Sequence, residues 1–377
     1  MVGSRESGQW DPSGWSYDPP RRARRGGCGR MLFGLVAAVA ILVILGLHGV
    51  TIPTGNAPAP APPGPAPRGL AAKVDPGLVD VVCQLGYDHA VAEGTGQVLT
   101  PDGEVLTNNH VIDGATSIQV TDIGTGRTYA ASVVGYDISA DIAVLQMHQA
   151  SGLRTVRLGD STSIVVGDRV TALGNAGGKG GTPAVASGSV TALNQQIIAS
   201  EEAEGSSEQL SGLIQTDAAL QPGDSGGPLV DDDSGKVVGV DTAASSTFQF
   251  QGVNAEGFAI PINTAMSVVR LVEAGRASDV VHLGPTAFLG VQLQWQNRPT
   301  GQRAEVLSAL PGTPAARAGI TGGDVILSVD GHAATSQAVL QGALALLHPG
   351  DKATVTWQDQ AGARHSATVV LAGGPAA

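Results

Sequence analysis

Short apolar runs separated by glycine-rich and polar turns recur along residues 75–280. Most of these runs consist of valine, isoleucine and leucine and are too short for helices, a pattern typical of strands in a turn-rich protein. They predict strands at residues 97–99, 105–107, 118–120, 142–146, 169–173 and 237–240. The pattern therefore predicts a fold that is mainly β.

Two segments have helical periodicity instead. Pro261 and Asn263 open the first, and Gly275 follows where that helix would end. Its apolar face consists of Met266, Val269 and Val272. The second segment covers residues 336–347, with apolar positions at Val339, Leu340, Ala343 and Leu347.

Residues 31–50 form an apolar run without a charged residue. In a helix such a run spans the hydrocarbon core of a bilayer, which is about 30 Å thick. Five arginines precede the run, at positions 21, 22, 24, 25 and 30. The positive-inside rule then predicts a single-pass cell-membrane protein with residues 1–30 in the cytoplasm and all later domains outside it. A cleaved signal peptide is the alternative, but its apolar region is usually only about 7–15 residues long.

The segments that flank the apolar run are poor in large apolar residues. Residues 1–30 combine glycine, serine, proline and arginine and are predicted to be disordered. Residues 51–74 are rich in alanine and proline and are predicted to form an extended linker. The first folded domain is therefore expected to begin near residue 75.

Charge and cysteine content narrow the range of functions. The formal net charge is −12, and residues 1–30 contribute +3, so the remainder carries −15. Such an acidic chain argues against a nucleic-acid partner. The two cysteines form neither a disulfide framework nor a zinc pattern, so we expect no metal and no cofactor.

The hexapeptide at residues 223–228 reads Gly-Asp-Ser-Gly-Gly-Pro and has the features of a nucleophile loop. A serine hydroxyl attacks a carbonyl only when a base removes its proton and donors stabilise the resulting oxyanion. Gly223 permits a tight turn in which the N–H groups of Gly223 and Ser225 point at one oxygen, forming an oxyanion hole. A polar glycine turn between two strands is the alternative.

Two upstream segments supply the other groups that such chemistry needs. His110 follows the apolar run Val105–Leu106, and Asp141 precedes the apolar run 142–145. Each alone is compatible with a structural role. Together with Ser225 they occur in the chain order His, Asp, Ser of chymotrypsin-type proteases. Ser225 is then the nucleophile, His110 the general base and acid, and Asp141 the group that orients the imidazole.

These residues resemble the HtrA/Deg family of serine proteases over about residues 75–372. The segments that carry the resemblance are 106–111, 141–145, 174–175, 216–219, 223–229 and 257–261. The resemblance implies a chymotrypsin-like double β-barrel, with two six-stranded barrels and the active site between them. It also implies ATP-independent cleavage of unfolded or damaged proteins, and it suggests a homotrimer.

Residues 285–372 resemble an α+β PDZ domain, carried by the segments 288–291, 312–320 and 323–331. The resemblance implies that a C-terminal peptide adds as a strand between residues 291–294 and the helix at 336–347. Backbone N–H groups would bind its carboxylate. The peptide-binding residues implied are Phe288, Leu289, Gly290, Val291, Val339 and Ala343. The peptidase domain is accordingly predicted over residues 75–282.

The trypsin-like layout also implies a substrate site. Ala219 lies six residues before the nucleophile, at the base of the first specificity pocket, so a preference for Lys or Arg is not expected. The segment Asp241, Thr242 and Ala243 is expected to pair with the substrate backbone, and its small walls fit an aliphatic residue before the cut. Asp224 departs from the asparagine common in the family and must find a partner or face solvent.

Two other functions remain open at this stage. A catalytically silent scaffold or sensor would keep the PDZ-like peptide site and lose hydrolysis. A non-peptidase serine hydrolase of the Gly-x-Ser-x-Gly type expects the serine before the other two groups, which is the reverse of the order found here. The sequence therefore favours a membrane-anchored serine endopeptidase.

Overall fold

The computed structural model describes residues 67, 69–86, 90–201, 206–242, 248–250, 257–298 and 301–376. The predicted disordered segment at 1–30 and the predicted transmembrane helix at 31–50 lie outside these residues. Within the described ranges, the structure contains no helix that is both long enough and apolar enough to cross a bilayer.

The first element among the described residues is a short helix in a segment predicted to be linker. Helix α1 (Leu70–Val74) is followed by a 3₁₀ turn at Asp75–Gly77. Leu70 and Val74, one helical turn apart, are buried in the same apolar cluster as Leu78. The predicted linker at 51–74 therefore extends too far, because these two apolar side chains dock residues 70–74 onto the folded domain that follows.

The amino-terminal half of the predicted peptidase domain is a closed antiparallel barrel. Its strands are β1 (Leu78–Leu85), β2 (Ala90–Val98), β3 (Glu104–Thr107), β4 (Ser117–Asp122), β5 (Thr128–Asp137) and β6 (Ile142–Met147). The strand order is β5-β4-β1-β2-β3-β6, and pairing of β5 with β6 closes the barrel. The interior is filled by small branched side chains such as Val81, Val105 and Leu145. Helix α2 (Asn109–Ile112) follows β3 directly.

The carboxyl-terminal half of the predicted peptidase domain forms a second closed barrel. Its strands are β7 (Arg169–Gly174), β8 (Ala184–Glu201), β9 (Ser206–Thr216), β10 (Pro228–Asp231), β11 (Lys236–Thr242), β12 (Phe248–Phe250) and β13 (Gly257–Pro261). The order β8-β7-β10-β11-β13-β9 is closed by pairing of β8 with β9, while β12 adds to β8. Two six-stranded barrels are thus present, and every strand predicted from the sequence overlaps an observed one.

The predicted helix after Pro261 is confirmed as α3 (Ile262–Glu273). Its buried residues are Ile262, Ala265, Val268, Val269 and Val272. Met266 is half-buried and packs at the edge of the same cluster. Gly275 follows the helix with φ of 62°, a left-handed conformation in which glycine has no steric cost.

Residues 287–373 form a third unit with a sheet and two helices. Its strands are β15 (Ala287–Phe288), β16 (Val291–Arg298), β17 (Gly301–Ala309), β18 (Val325–Val329), β19 (His332–Ala333), β20 (Lys352–Gln358), β21 (Arg364–Val370) and β22 (Ala372–Gly373). The helices are α4 (Pro314–Ala318) and α5 (Gln337–Ala345). The main sheet has the order β16-β17-β18-β20-β21, so β16 lies at its edge.

Two segments connect this third unit to the first barrel. Strand β14 (Val281–Leu283) pairs with β5, with Val281 opposite Asp137. At the other end of the unit, the C-terminal segment 372–376 pairs with β15 and then reaches the loop after α2. There the Ala376 N–H donates to the Ala115 carbonyl, and the Gly114 N–H donates to the Ala376 carbonyl.

Candidate active site

Ser225 lies in the loop that leads into β10, and the glycines around it are required by the backbone. Gly223 and Gly226 have φ of 99° and 84°, in the region that side chains disfavour. A Cβ at Gly226 would overlap the Thr95 carbonyl, and one at Gly223 would overlap the Asn175 carbonyl. The hexapeptide is therefore a compressed loop packed against its neighbours, with Ser225 only 3% exposed.

His110 and Asp141 are in direct contact. His110 is the second residue of α2, and its Nδ1 lies 2.9 Å from Asp141 Oδ2 and 3.0 Å from Oδ1. The His110 backbone N–H also donates to Asp141 Oδ1 at 3.0 Å. Because the carboxylate binds both the main chain and the ring of one residue, the imidazole is oriented with Nδ1 toward Asp141.

The Asp141 backbone adopts φ of 52°, which is uncommon for a residue other than glycine. The Asn108 side chain donates to the Asp141 carbonyl at 2.9 Å, and Thr242 Oγ1 donates to Asp141 Oδ2 at 3.3 Å. Sequence reasoning assigned no role to Asn108 and placed Thr242 at the substrate edge. The neighbouring Asn108–Asn109 pair was a signal, since asparagine side chains often bond to nearby backbone.

The helix that carries His110 and the loop that carries Ser225 meet the same point of β2. A Cβ at Gly94 would lie 2.7 Å from the Val111 side chain and 3.2 Å from the Ser225 carbonyl oxygen. Only a residue without a side chain fits between them. His110 and Asp141 are thus in contact, and the helix that carries His110 adjoins the loop that carries Ser225.

Two buried carboxyl groups lie close to Ser225: Asp224 precedes it in the loop, and Asp241 is on β11, which bonds to the loop. Asp224 accepts a hydrogen bond from the Gln221 N–H at 2.8 Å, and burial raises its pKa to about 6. Burial and the neighbouring Asp224 raise the pKa of Asp241 well above its usual value. Within the described part of the chain, neither carboxyl oxygen of Asp241 has a hydrogen-bond partner. Asp224 therefore does not face solvent, and its partner is a backbone amide rather than a cation.

In the predicted substrate edge, residues 241–243, the backbone of Asp241 already forms hydrogen bonds within the protein. The Asp241 N–H donates to Gly227, and the Asp241 carbonyl accepts from Gly226, at 2.8 and 2.9 Å. Thr242 is fully buried, and Ala243 lies outside the described residues. The backbone N–H and carbonyl of Asp241 are therefore already bonded to the loop that holds Ser225. Substrate pairing by this segment stays a prediction. Ala219 is exposed, and its place at the base of a specificity pocket stays a prediction.

The predicted carboxylate-binding turn of the third unit has its carbonyls occupied. The Leu289 carbonyl accepts from Ala315 N–H at 3.0 Å, and the Gly290 carbonyl accepts from Leu310 N–H at 2.9 Å. In the portion of the chain that the structure describes, the N–H groups of Leu289 and Gly290 donate to no backbone carbonyl. Gly290 has φ of 82°, and a Cβ there would overlap Thr313.

The remaining predicted peptide-binding residues flank this turn. Val291 begins β16, whose outer edge is unpaired among the described strands. On α5, Val339 is 41% exposed, whereas Ala343 is buried in the domain core. Phe288 packs against Gly374 of the C-terminal segment. Their roles in peptide binding stay predictions.

Two protein-family models match the chain. The model for a trypsin-like peptidase domain matches residues 94–240, and the model for a PDZ domain matches residues 287–368. The first covers the segment from β2 through most of β11, and the second covers the third unit from β15 into β21.

Proteins named as serine proteases are similar to this chain. Serine protease PepD of Mycobacterium tuberculosis is 35% identical over 338 residues, which cover 85% of this chain and 68% of that protein. Periplasmic serine endoprotease DegP of Escherichia coli K12 is 36% identical over 273 residues, which cover 70% of this chain and about half, 54%, of DegP. A solved structure of HtrA-type protease AlgW with a tripeptide is 28% identical, with a TM-score of 0.46 over 81% of this chain and 96% of that one.

The order of the two domain matches is the order of the barrels and the third unit in the structure. PepD shares more than a third of its aligned residues with this chain across both domains. The chain therefore belongs to the HtrA family of serine endopeptidases, with a trypsin-like peptidase domain followed by a PDZ domain.

Proposed function

We propose that the chain is a membrane-anchored serine endopeptidase that cleaves unfolded or damaged proteins outside the cytoplasm. The observation that carries the proposal is the pairing of His110 Nδ1 with the buried Asp141 carboxylate at 2.9 Å, beside the loop that holds Ser225. An imidazole held in this way presents its other nitrogen to accept a proton.

The residues would act in two half-reactions. Ser225 Oγ attacks the scissile carbonyl while His110 takes its proton, and His110 then delivers that proton to the leaving amine. In the second half-reaction, His110 activates a water that hydrolyses the acyl-enzyme. Asp141 stabilises the imidazolium in both, and the N–H groups of Gly223 and Ser225 stabilise the oxyanion.

The PDZ domain would select substrates by their C-termini. An unpaired β16 edge supports strand addition, and the two turn N–H groups at Leu289 and Gly290 support binding of a carboxylate. Val339 would contact the peptide side chains from α5.

A test of peptide binding uses the full chain in the inactive Ser225→Ala form, titrated with hydrophobic C-terminal peptides by calorimetry. Val339→Glu should weaken binding at least about tenfold, because it places a charge against an apolar ligand. Val370→Glu is the matched control, since Val370 is also exposed but lies on β21 at the opposite edge of the sheet. Equal binding by both variants, or no heat from any peptide, would contradict this role.

Anchoring is proposed from the sequence alone. The apolar run at 31–50 and the arginines before it support a single-pass helix with an amino-terminal tail in the cytoplasm. The catalytic domain would then act outside the cytoplasm. The family resemblance also suggests a homotrimer, which light scattering on the detergent-solubilised full chain would test.

The test of the catalytic proposal is cleavage of unfolded casein by the full chain. Ser225→Ala should abolish cleavage and labelling by a fluorophosphonate probe, because both require the Ser225 hydroxyl. Ser267→Ala is the matched control, since Ser267 is an exposed serine on α3 and its loss should leave both signals unchanged. Cleavage that persists in Ser225→Ala would refute the assignment.

The silent scaffold gives a different set of results. Such a protein would bind C-terminal peptides, yet the unmodified chain would neither cleave casein nor react with the probe. Labelling of Ser225 therefore separates the enzyme from the scaffold without knowledge of the natural substrate.

A further inference from the structure

Thr95 on β2 is a node of hydrogen bonds to the nucleophile loop. Its side chain is almost fully buried, and Oγ1 donates to the Gly223 carbonyl at 2.8 Å. The same oxygen accepts from the Asn175 N–H at 2.8 Å. The Thr95 backbone N–H donates to the Ser225 carbonyl, also at 2.8 Å. One residue of the first barrel therefore contacts both sides of the loop that belongs to the second.

Four consecutive carbonyls of this loop are held in place. The Pro222 carbonyl accepts from the Gly177 N–H at 2.7 Å, and the Gly223 carbonyl accepts from Thr95 Oγ1 at 2.8 Å. The Asp224 carbonyl accepts from the Gly227 N–H at 2.9 Å, and the Ser225 carbonyl accepts from the Thr95 N–H at 2.8 Å. Because a trans peptide is planar, each fixed carbonyl also fixes the direction of the next N–H. The Gly223 N–H is set by the Pro222 carbonyl, and the Ser225 N–H by the Asp224 carbonyl.

The Thr95 hydroxyl acts on the Gly223 side of this arrangement in two ways. It holds the Gly223 carbonyl directly, which limits rotation about the Gly223 backbone. Through the Asn175 N–H it also anchors the turn that contains Gly177, the donor to the Pro222 carbonyl. A hydroxyl has one proton to donate and lone pairs to accept, so a single Oγ1 satisfies both groups.

We infer that Thr95 is a positioning residue whose hydroxyl aligns the oxyanion hole formed by the Gly223 and Ser225 N–H groups. The inference rests on the proposed role of Ser225 as nucleophile. Thr95 itself does not contact the substrate. Without its hydroxyl, the Gly223 carbonyl and the Asn175 N–H lose a buried partner. The peptide that carries the Gly223 N–H is then held less firmly, through the bond from the Gly177 N–H to the Pro222 carbonyl, and can turn away from the oxyanion more easily.

The experiment compares Thr95→Val with Thr95→Ser in the full chain. The substrate is a fluorogenic peptide amide with an aliphatic residue before the cut, and the transition-state probe is the matching peptidyl boronate. Thr95→Val should lower kcat and boronate affinity together by about 10- to 100-fold, with KM changed by less than about twofold. Thr95→Ser retains the hydroxyl and should keep both values within about threefold of the unmodified chain.

The matched control is Thr171→Val. Thr171 is also a fully buried threonine, but its Oγ1 donates to Asp232 Oδ1 at 2.7 Å on the outer part of the second barrel. It should lower Tm and leave kcat unchanged, as expected for a hydroxyl with a structural role only. If Thr95→Val does not fold, Thr95→Cys, with a weaker donor, should fall below Thr95→Ser in kcat.

The outcomes separate this inference from the proposed function. An unmodified chain that neither cleaves nor reacts with the fluorophosphonate would refute the endopeptidase itself. An active unmodified chain in which Thr95→Val, or Thr95→Cys in its place, keeps full kcat and boronate affinity would overturn the role of Thr95 alone. A loss confined to Tm or to KM would overturn it as well.

Discussion

Asp224 and Asp241 place two carboxyl groups where charge is costly. Asp241 has its side chain fully buried, and its backbone bonds to both glycines that follow Ser225. Asp224 keeps one backbone donor for its carboxyl group, which partly offsets the effect of burial on its pKa. Since the charge of Asp224 also raises the pKa of Asp241, the folded protein favours protonated carboxyls at these two positions next to Ser225.

This arrangement predicts that stability falls as pH rises. The pKa of Asp224 is about 6 in the folded protein against an ordinary 3.8, so the folded state binds more protons than the unfolded state across that interval. The stabilising contribution is complete below about pH 4 and is lost as pH rises through about 6. Asp224→Asn keeps an acceptor for the Gln221 N–H and should raise the free energy of unfolding at pH 8 by roughly 2 kcal/mol.

Denaturant unfolding of the two proteins at pH 5 and pH 8 measures this effect. Asp279→Asn removes an exposed aspartate and is the control for a simple change of net charge. If Asp224→Asn and the unmodified chain lose stability in parallel between the two pH values, Asp224 does not carry the effect.

At the scale of elements, the sequence predicted secondary structure best where one strand consists of a continuous apolar run that is buried. Strands β3, β6, β7 and β11 were predictable because their runs fill barrel interiors. The five-residue helix α1 was missed, since Leu70 and Val74 stand alone in an alanine-rich segment. The sequence motifs singled out His110 and Asp141, which are in contact, whereas the contacts of Thr95 and Thr242 depend on the docking of two barrels. No local pattern encodes that docking.

Helix α1 provides a test of where the linker ends. Leu70→Ala should lower the free energy of unfolding by about 2–3 kcal/mol, because Leu70 is buried against the apolar cluster of the peptidase fold. Lys73→Ala, on the exposed side of the same helix, should change stability by less than about 0.5 kcal/mol. Chemical denaturation of both variants gives the comparison. If Leu70→Ala were as stable as Lys73→Ala, residues 70–74 would not be docked onto the peptidase domain and would belong to the linker.

At the scale of the whole molecule, the PDZ domain contacts the loop that follows the His110 helix. The Tyr136 hydroxyl of the first barrel lies 3.2 Å from Thr286 Oγ1, just before β15. The buried His282 ring stacks on His348 and lies tilted against Tyr136, at centroid distances of 4.9 Å from each. The C-terminal segment 372–376 adds backbone bonds to both β15 and the loop at 113–116. Strand β15, which immediately precedes the Leu289–Gly290 turn, pairs with the C-terminal segment, and that segment is bonded to the barrel that carries His110. A peptide bound at this turn would therefore lie next to β15.

Removal of residues 374–377 tests whether this segment holds the two domains together. The truncation deletes the bonds from Gly374 N–H to Thr286, from Ala376 N–H to Ala115, and from Gly114 N–H to Ala376. Amide hydrogen exchange at Gly114 should accelerate at least about tenfold, because its N–H loses its acceptor and local opening becomes easier. Removal of Ala377 alone is the control, since it leaves all three bonds in place. Strands β3 and β6 should exchange equally in both proteins, because their barrel ladder is untouched. Unchanged protection of Gly114 after the longer truncation would show that the PDZ domain is held by β14 and the His282 contacts, and that the C-terminal segment does not connect the PDZ domain to the helix that carries His110.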